Sequence, residues 1–591
     1  MNSDPFPNPI GTLYDPRVIY VMPLYQREYC WVQKELKNYR DDLEQVFSSA
    51  TSVDPENVFL GAIVLKEVEG SSATQSRSMT VIDGQQRITT MYLTLAALSE
   101  YAYEKGWEAD SKIIIQRHLV SNGRGSTNES VLKPTAKDTK QFQSILQNLR
   151  GHSINTPNPG YGEAKGKLTD AYEYIYKNIV TKLIEEMDSS ASKNTFEEFL
   201  NCFLNNFVIA DITLSKTHNA NEVFDRLNQR GKRLGVIDLI RNDLFGFYSD
   251  NLQNAEKFYQ NHWLPFQEEL ETKFTDRKNS AVEIDKQVDD FFFPFAVNKR
   301  KETAKRSLLK ELHDVWGNTL PRNKVKEMRE YIEPYFCWLE GELLGARVPA
   351  NYSSDLREAI LDLKNYMPPK ACLPFLMRCL KEVNDQNLSE SDAAESFGII
   401  ESFLVRRTLV FDEEGTGYDK IFKTLWDKSK GDPKLVRSEM PSRTKTFPSD
   451  SQFHQRILEV NIYGKRIEKY LLFQYEKHLK NIALEYYPKQ IIKTTDHINP
   501  QKIEGLTKDE KEEHNRTVHL WGNLIPMTQK LNSTKSNRKL SQFKGELAQH
   551  SSFATTKNFL ADFVGQPEWT PKLIDKRTKK IADWAVIQWP D

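Results

Sequence analysis

The C-terminal part of the sequence holds side chains suited to phosphodiester hydrolysis. Residues 494–501 read TTDHINPQ, and residues 519–527 read HLWGNLIPM. Such chemistry needs an activated water, a metal ion on the phosphate oxygens and cations along the backbone. Asp496 and Asn532 offer hard oxygen ligands that suit Mg²⁺. His497 can point to the other side of a strand end and act as a neutral base near pH 7.

A run of bases without acids follows this histidine. We predict one helix over residues 529–545 that contacts DNA phosphates. Its bases are Lys530, Lys535, Arg538, Lys539 and Lys544. Plain structural interpretations stay open, because an Asp-His pair often caps a helix or packs in a core, and a lysine-rich helix is usually a solvated face. His514 and His519 do not share a helical face, so we predict packing or hydrogen bonding for His519 and no metal role.

A second polar group lies near the N-terminus, where residues 22–31 read MPLYQREYCW and residues 81–90 read VIDGQQRITT. Gly84 permits a tight turn, and the free N–H groups of the helix start that follows form an anion site. Arg87 can clamp phosphate through two donors, while Asp83 can hold Mg²⁺ or position the turn. Further polar groups come from Gln26, Arg27, Gln85, Gln86, Thr89 and Thr90. The simpler alternative is a capped turn with Arg87 as a surface cation.

The surrounding sequence predicts the elements that carry these groups. Residues 58–65 and 79–82 are apolar runs typical of buried strands, and a helical period starts at Gln86. This order predicts strand, polar turn and helix around residues 83–87. Asn228-Gln229-Arg230-Gly231 places more polar side chains at a helix end. Residues 246–440 are mostly amphipathic helix with proline breaks, which indicates a helical connector.

Composition restricts the class of protein. The chain has 591 residues, 39% of them hydrophobic, and its 81 Lys and Arg almost balance 82 Asp and Glu. This length predicts about three or four domains, and the neutral charge argues against coating nucleic acid by bulk charge. The five cysteines include no CxxC, so a disulfide framework or thiolate zinc site is not expected. Because there is no signal peptide and no long apolar run, we expect a cytoplasmic protein without membrane contact.

The N-terminal motifs carry a family resemblance. PLYQREYCW, FLGAIVL, VIDGQQRITT and VFDRLNQRGKRL resemble the N-terminal domain of GmrSD-type modification-dependent (type IV) restriction enzymes, over most of residues 15–245. That domain is similar to the ParB/sulfiredoxin-like fold, and the resemblance implies that it binds and hydrolyses a nucleotide. The residues implied in this pocket are Gln26, Arg27, Asp83, Gly84, Gln85, Gln86, Arg87, Thr89, Asn228, Arg230 and Gly231.

The C-terminal motifs resemble the same enzymes. DHINPQ, then GNL, then N(x4)N is similar to the HNH (ββα-metal, His-Me finger) nuclease core. The resemblance implies that Asp496 is a metal ligand and His497 the general base. It also implies that Asn523 braces the loop that orients His497 and that Asn532 completes the metal site. The sequence departs from many HNH domains in lacking a CxxC zinc site.

The resemblance implies a multidomain α+β protein. Its parts would be a ParB/sulfiredoxin-like nucleotide-binding domain at 12–245, a helical connector at 246–440 and an HNH nuclease domain at 441–591. It would be a type IV restriction endonuclease for phage defence, which cleaves double-stranded modified DNA such as DNA with glucosylated hydroxymethylcytosine. It would use Mg²⁺ or another divalent metal and be regulated by an NTP of unspecified base. Analogy alone suggests a homodimer.

Three alternatives stay open at the level of the sequence. The first is a nucleotide-dependent DNA-binding switch without cleavage, and the second is the nuclease of a phosphorothioate-sensing defence system. The third is a hydrolase for another substrate, which finds no support in a GxSxG or HExxH motif. A Walker A loop and a GxGxxG motif are absent as well.

Overall fold

The chain divides into two compact units, Met1–Asn261 and His262–Asp591, in the computed structural model. The structure describes the following residues: 8–24, 26–49, 57–68, 77–121, 128–149, 154, 164–214, 235–248, 252–274, 281–299, 308–339, 348–412, 417–480, 492–535, 538–566 and 568–591. Within these ranges, no helix is both long and apolar enough to cross a membrane.

The N-terminal unit contains a mixed six-stranded sheet with the order β1-β8-β3-β4-β2-β7. These strands are β1 (Asn8–Pro9), β2 (Val18–Val21), β3 (Val58–Glu67), β4 (Arg77–Asp83), β7 (Leu132–Lys133) and β8 (Phe207–Leu214). The pairs β2/β4, β2/β7 and β3/β8 are parallel, while β1/β8 and β3/β4 are antiparallel. A separate two-stranded sheet joins β5 (Val120–Ser121) to β6 (Glu129–Ser130).

Helices cover this sheet. The α-helices of the N-terminal unit are α1 (Gln33–Ser49), α2 (Gln85–Glu104), α3 (Glu108–Ile114), α4 (Thr139–Asn148), α5 (Lys167–Tyr174), α6 (Lys182–Met187), α7 (Lys193–Asn206), α8 (Val236–Gly246) and α9 (Leu252–Phe258). Short 3-10 turns occupy Ile10–Thr12 and Ala136–Asp138, and π-helical segments occupy Ile115–Leu119 and Ile175–Thr181. Helix α2 is buried along most of its length, from Ile88 to Ala102, and it forms the centre of this unit's core.

The predicted order of strand, polar turn and helix is confirmed. Strand β4 ends at Asp83, and α2 begins at Gln85. Gly84 between them has a φ of +93°, a left-handed conformation that favours glycine. A Cβ at this position would lie 2.9 Å from Cγ1 of Ile63 on β3. The turn is therefore tight because the neighbouring strand packs directly against it.

The C-terminal unit is mostly helical. Its α-helices are α10 (Leu264–Phe274), α11 (Ala281–Lys299), α12 (Leu308–Trp316), α13 (Pro321–Glu330), α14 (Ile332–Phe336), α15 (Ser354–Tyr366), α16 (Leu373–Asn384), α17 (Glu390–Phe411), α18 (Asp419–Ser429), α19 (Pro433–Glu439), α20 (Asp450–Glu459), α21 (Glu468–Lys480), α22 (Lys508–Thr517), α23 (Gln529–Lys535), α24 (Leu540–His550), α25 (Ala554–Asp562) and α26 (Pro571–Gln588). Short 3-10 turns lie at Lys370–Cys372 and Trp521–Asn523, and the π-helical segment Tyr259–Trp263 contains the boundary between the units.

One antiparallel hairpin interrupts these helices. It pairs β9 (Thr494–His497) with β10 (Leu524–Met527). Trp521, in the 3-10 turn before β10, and Leu524, the first residue of β10, belong to the same apolar core as helices α15 and α17. Helix α25 also contacts the preceding helices. The backbone N–H groups of Ala554 and Thr555, at its start, donate to the buried carboxylate of Glu476 on α21. Ile525 and Met527 of β10 belong to a second apolar core, with Phe543 and Phe559, so only part of the hairpin region shares the core of the preceding helices.

Candidate functional site

The hairpin and the helix that follows it position the C-terminal polar group. Asp496 and His497 end β9, where they pair with Ile525 and Leu524 of β10. Because successive strand residues point to opposite faces, the two side chains leave the strand on different sides. Helix α23 begins soon after β10 and packs against β9. Asn532 lies on α23, one turn before Lys535 on the same face.

Asn523 joins the two ends of the loop between the strands. Its side chain is fully buried, and its amide nitrogen donates to the carbonyl oxygens of Asn499 at 3.0 Å and Val518 at 2.8 Å. Its amide oxygen accepts from the N–H of Asn499 at 2.8 Å. Both chemical ends of the amide are thus bonded to the main chain. Asn523 therefore braces the segment that follows His497.

Helix α26 holds Asn523 in place from behind. A Cβ on Gly522 would lie 2.3 Å from the carbonyl oxygen of Ile574, so only glycine fits against this helix. Arg577 is buried and donates to the carbonyl oxygens of Gly522 at 2.8 Å and Leu524 at 3.2 Å. These contacts fix the main chain on both sides of Asn523.

His497 is buried, and the polar and aromatic side chains around its ring are partly buried or exposed. Its Nε2 is 2.9 Å from Nδ1 of His519, and its Nδ1 is 3.0 Å from the amide nitrogen of Gln501. The ring of Tyr463 meets His497 edge-on at 4.4 Å and stacks on His519 at 5.3 Å. Burial first, and then the neighbouring His519, lower the pKa of His497 to about 3. The imidazole is therefore neutral at pH 7.

Asp496 forms a buried ion pair with Lys535. Its Oδ2 lies 2.7 Å from Nζ of Lys535, whose side chain is only 1% exposed. The same ammonium donates to the carbonyl oxygen of His497 at 2.5 Å. Burial raises the pKa of Asp496, and the charge of Lys535 acts against this effect. Lys535 is thus bonded inside the site. The sequence predicts instead that Lys535 lies on the surface and contacts a DNA phosphate, and this prediction does not fit its burial.

The donor set fits a hard divalent cation. Among the described residues, no group of three or more His, Cys, Asp or Glu side chains is placed to hold a metal ion. Mg²⁺ is commonly held by one or two carboxylates together with water and substrate phosphate. The carboxylate of Asp496 and the amide of Asn532 are oxygen donors of the right kind for this mode of binding.

The basic run forms two helices, so the prediction of a single helix over 529–545 is wrong. Helix α23 ends at Lys535, α24 begins at Leu540, and residues 536–537 lie outside the described chain. Arg538 donates to Glu546 at 2.9 Å, and Lys539 lies 3.5 Å from Glu568. Lys530 is exposed on α23. The DNA contacts of Lys530, Arg538 and Lys539 stay a prediction.

The glutamines of the N-terminal group bond to the main chain. Gln26 is buried, and its amide donates to the carbonyl oxygens of Val81 at 2.6 Å and Ile82 at 3.0 Å. Gln85 donates to the carbonyl oxygen of Arg27 at 2.6 Å. Gln86 accepts from the N–H of Cys30 at 2.8 Å. These amides fasten residues 26–30 to the end of β4 and the start of α2.

The other predicted nucleotide-binding residues surround this turn. Arg87 donates to the carbonyl oxygen of Ala62 on β3. Thr89 is buried in α2, and Asp83 ends β4 opposite Val64. Gly84 has no side chain with which to cap the first turn of α2. Asn228, Arg230 and Gly231 lie outside the described residues. The nucleotide-binding role of the whole group stays a prediction.

Sequence reasoning missed several members of the histidine group. His519 was expected only to pack or to hydrogen-bond, and Tyr463 and Gln501 were given no role. An isolated antiparallel bridge between Asn461 and Leu520 brings Tyr463 to His519, although the two lie far apart in sequence. Gln501 follows the Asp-His pair closely, so its position was a usable signal. For Tyr463 the sequence held none.

Comparisons with known proteins match two separate stretches of the chain. Residues 10–245 match the family model of the GmrSD restriction endonuclease N-terminal domain, and residues 447–584 match that of the GmrSD restriction endonuclease C-terminal domain. The comparison with curated proteins gives no match. Both family models describe restriction endonucleases, which are nucleases that act on DNA, and this is consistent with type IV restriction. The chain belongs to the GmrSD restriction endonuclease family, whose two domain models together cover more than half of it.

Proposed function

We propose that this protein is a type IV restriction endonuclease that cleaves modified foreign DNA at the His497 site under control of a nucleotide. The observation that carries this proposal is the buried, neutral His497 directly beside Asp496, at the end of a hairpin followed by a helix. This arrangement supports assignment of the region to the HNH class. The modification we favour is a glucosylated hydroxymethylcytosine, which the family resemblance suggests.

The chain's own residues would divide the work of hydrolysis. His497 takes a proton from the attacking water, since a neutral imidazole is a suitable base near pH 7. Asn523 keeps the loop after His497 in one position through its bonds to Asn499. Asp496 and Asn532 would hold Mg²⁺, which supplies charge stabilisation to the phosphate oxygens when bound. Lys535 orients the carboxylate of Asp496 through their ion pair.

The nucleotide would bind at the start of α2 in the N-terminal unit. The first N–H groups of a helix attract phosphate, and Gly84 leaves this first turn without a side-chain cap. Because the amides of Gln26, Gln85 and Gln86 are bonded to the main chain, we assign them the task of shaping this turn. Arg27 and Asp83 are the polar residues left at its edge for a nucleotide or its Mg²⁺. The ParB/sulfiredoxin-like fold belongs to this proposal as well.

A substrate panel tests the proposal. Full-length protein is incubated with Mg²⁺ or Mn²⁺, with and without each NTP, and with unmodified, hydroxymethylated, glucosylated or phosphorothioated DNA. We expect cleavage of one modified DNA, and we expect His497→Ala to lower its rate by about 10²–10⁴-fold, the usual contribution of a general base. His550→Ala, an exposed histidine at the end of α24, is the matched control. Cleavage by His497→Ala at the wild-type rate would overturn the nuclease assignment.

A further inference from the structure

The partners of His497 differ in what they can donate and accept. Gln501 presents its amide nitrogen, which is a donor only, at 3.0 Å from Nδ1 of His497. The tautomer that matches this donor has Nδ1 as the acceptor and the single proton of the neutral ring on Nε2. That proton points at Nδ1 of His519, 2.9 Å away. In the same arrangement Nδ1 of His519 is the acceptor, and the proton of His519 lies on its Nε2.

The surroundings hold His519 in the orientation that this bond needs. Tyr463 stacks on the His519 ring with an angle of 6° between the planes, and the two histidine rings stand at 73° to each other. An imidazole nitrogen accepts in the plane of its ring, so a stacked His519 can meet the edge of His497. His519 follows the buried residues Thr517 and Val518, and the carbonyl oxygen of Val518 accepts from Asn523.

We propose that His519 is a positioning residue that fixes the tautomer and the orientation of His497, so that Nδ1 is the nitrogen that accepts a proton from water. This inference rests on the proposed nuclease function and adds a residue that the family resemblance did not supply. Gln501 occupies the place of the attacking water, because it donates to Nδ1 as a water would. Gln501 is exposed, so it can leave when DNA arrives.

The arrangement follows the general logic of a base that a third group orients. A neutral imidazole keeps one tautomer and one orientation when an acceptor holds the proton of its other nitrogen. In this site the acceptor is the neutral ring of His519, so the acceptor adds no negative charge next to His497. Loss of a partner that orients a functional histidine commonly lowers activity by about 10–100-fold.

Three variants test this role through kinetics. His519→Ala removes the acceptor, and we expect kcat for modified DNA to fall about 10–100-fold while KM stays within about twofold. His519→Asn restores an acceptor oxygen, and we expect kcat to return to within a few-fold of wild type. His550→Ala should leave both constants unchanged. Equal losses in His519→Ala and His519→Asn, or no loss in His519→Ala, would overturn the proposal.

A spectroscopic measurement decides the same question without DNA. In full-length protein labelled with ¹⁵N-histidine, solid-state spectra distinguish protonated from unprotonated ring nitrogens, and His497→Ala identifies the His497 signals. We expect wild type and His519→Asn to show His497 protonated on Nε2 alone, and His519→Ala to show a mixture of tautomers. A His497 signal unchanged by His519→Ala would sink the inference. Because this readout needs no cleavage, it separates the role of His519 from the proposed nuclease function.

Discussion

The two polar groups of this molecule use buried side chains in different ways. Around Gly84, the amides of Gln26, Gln85 and Gln86 donate to or accept from the main chain. Around His497, side chains meet other side chains, as in the bonds to His519 and the pair of Asp496 with Lys535. Bonds from amides to the main chain determine the shape of a turn. Contacts among titratable groups determine which groups are protonated and charged, and acid–base chemistry depends on those states.

Removal of the cation at the His497 site should give the largest effect. Lys535→Met leaves Asp496 buried without its counter-charge, and we expect the free energy of unfolding to fall by about 3–5 kcal/mol. Urea unfolding of the full chain measures this change. Lys530→Met, on the exposed face of the same helix, is the control and should change stability by less than about 0.5 kcal/mol. If Lys535→Met were as stable as wild type, the ion pair would not be a structural part of the site.

Asp138 is a buried titratable group in the N-terminal unit, and its protonation tests the comparison between the two polar groups. The buried carboxylate of Asp138 accepts from the N–H of Tyr29 and the hydroxyl of Thr135, and burial raises its pKa from 3.8 to about 7. Between these values the folded protein binds the proton more tightly than the unfolded chain. The contribution of Asp138 to the free energy of unfolding is fully present below about pH 4. It decreases as the pH rises from there to about 7, by about 1.4 kcal/mol per pH unit.

Asp138→Asn should remove this pH dependence, because an amide does not titrate. Urea unfolding at pH 5, 6 and 7 compares the variant with wild type, and the difference between them should change steadily with pH. Parallel pH curves for the two proteins would show that Asp138 is ionised in the fold. In that case the N-terminal unit would also hold a buried charge, and its polar group would differ less from the His497 site.

The smallest expected effect concerns the amides themselves. Gln86→Ala removes the bond to the N–H of Cys30, and the loss should cost about 1–3 kcal/mol if that N–H is left unpaired. Gln33→Ala, at the exposed start of α1, is the matched control. Chemical unfolding measures stability, and the substrate panel measures cleavage. A Gln86→Ala protein of wild-type stability would indicate that this glutamine serves a ligand and not the turn.

Local patterns predicted the elements well. The strand that ends at Asp83 and the helix that follows it were expected from apolar runs and a Gly-marked turn, and the structure confirms both. The basic run was misjudged, since charge alone does not reveal that Lys535 turns inward to Asp496. His519 and Tyr463 reach His497 through pairing between distant segments. Such contacts are set by tertiary packing, and residue spacing does not encode them.

The core shared by Trp521, Leu524 and the helices before them has a practical consequence for protein engineering. A fragment cut to the matched span 447–584 would leave behind apolar partners of Trp521 and Leu524 and expose a patch prone to aggregation. A chimera that borrows the C-terminal unit should therefore transfer the whole of His262–Asp591. The portable module is larger than the stretch that carries the family signature.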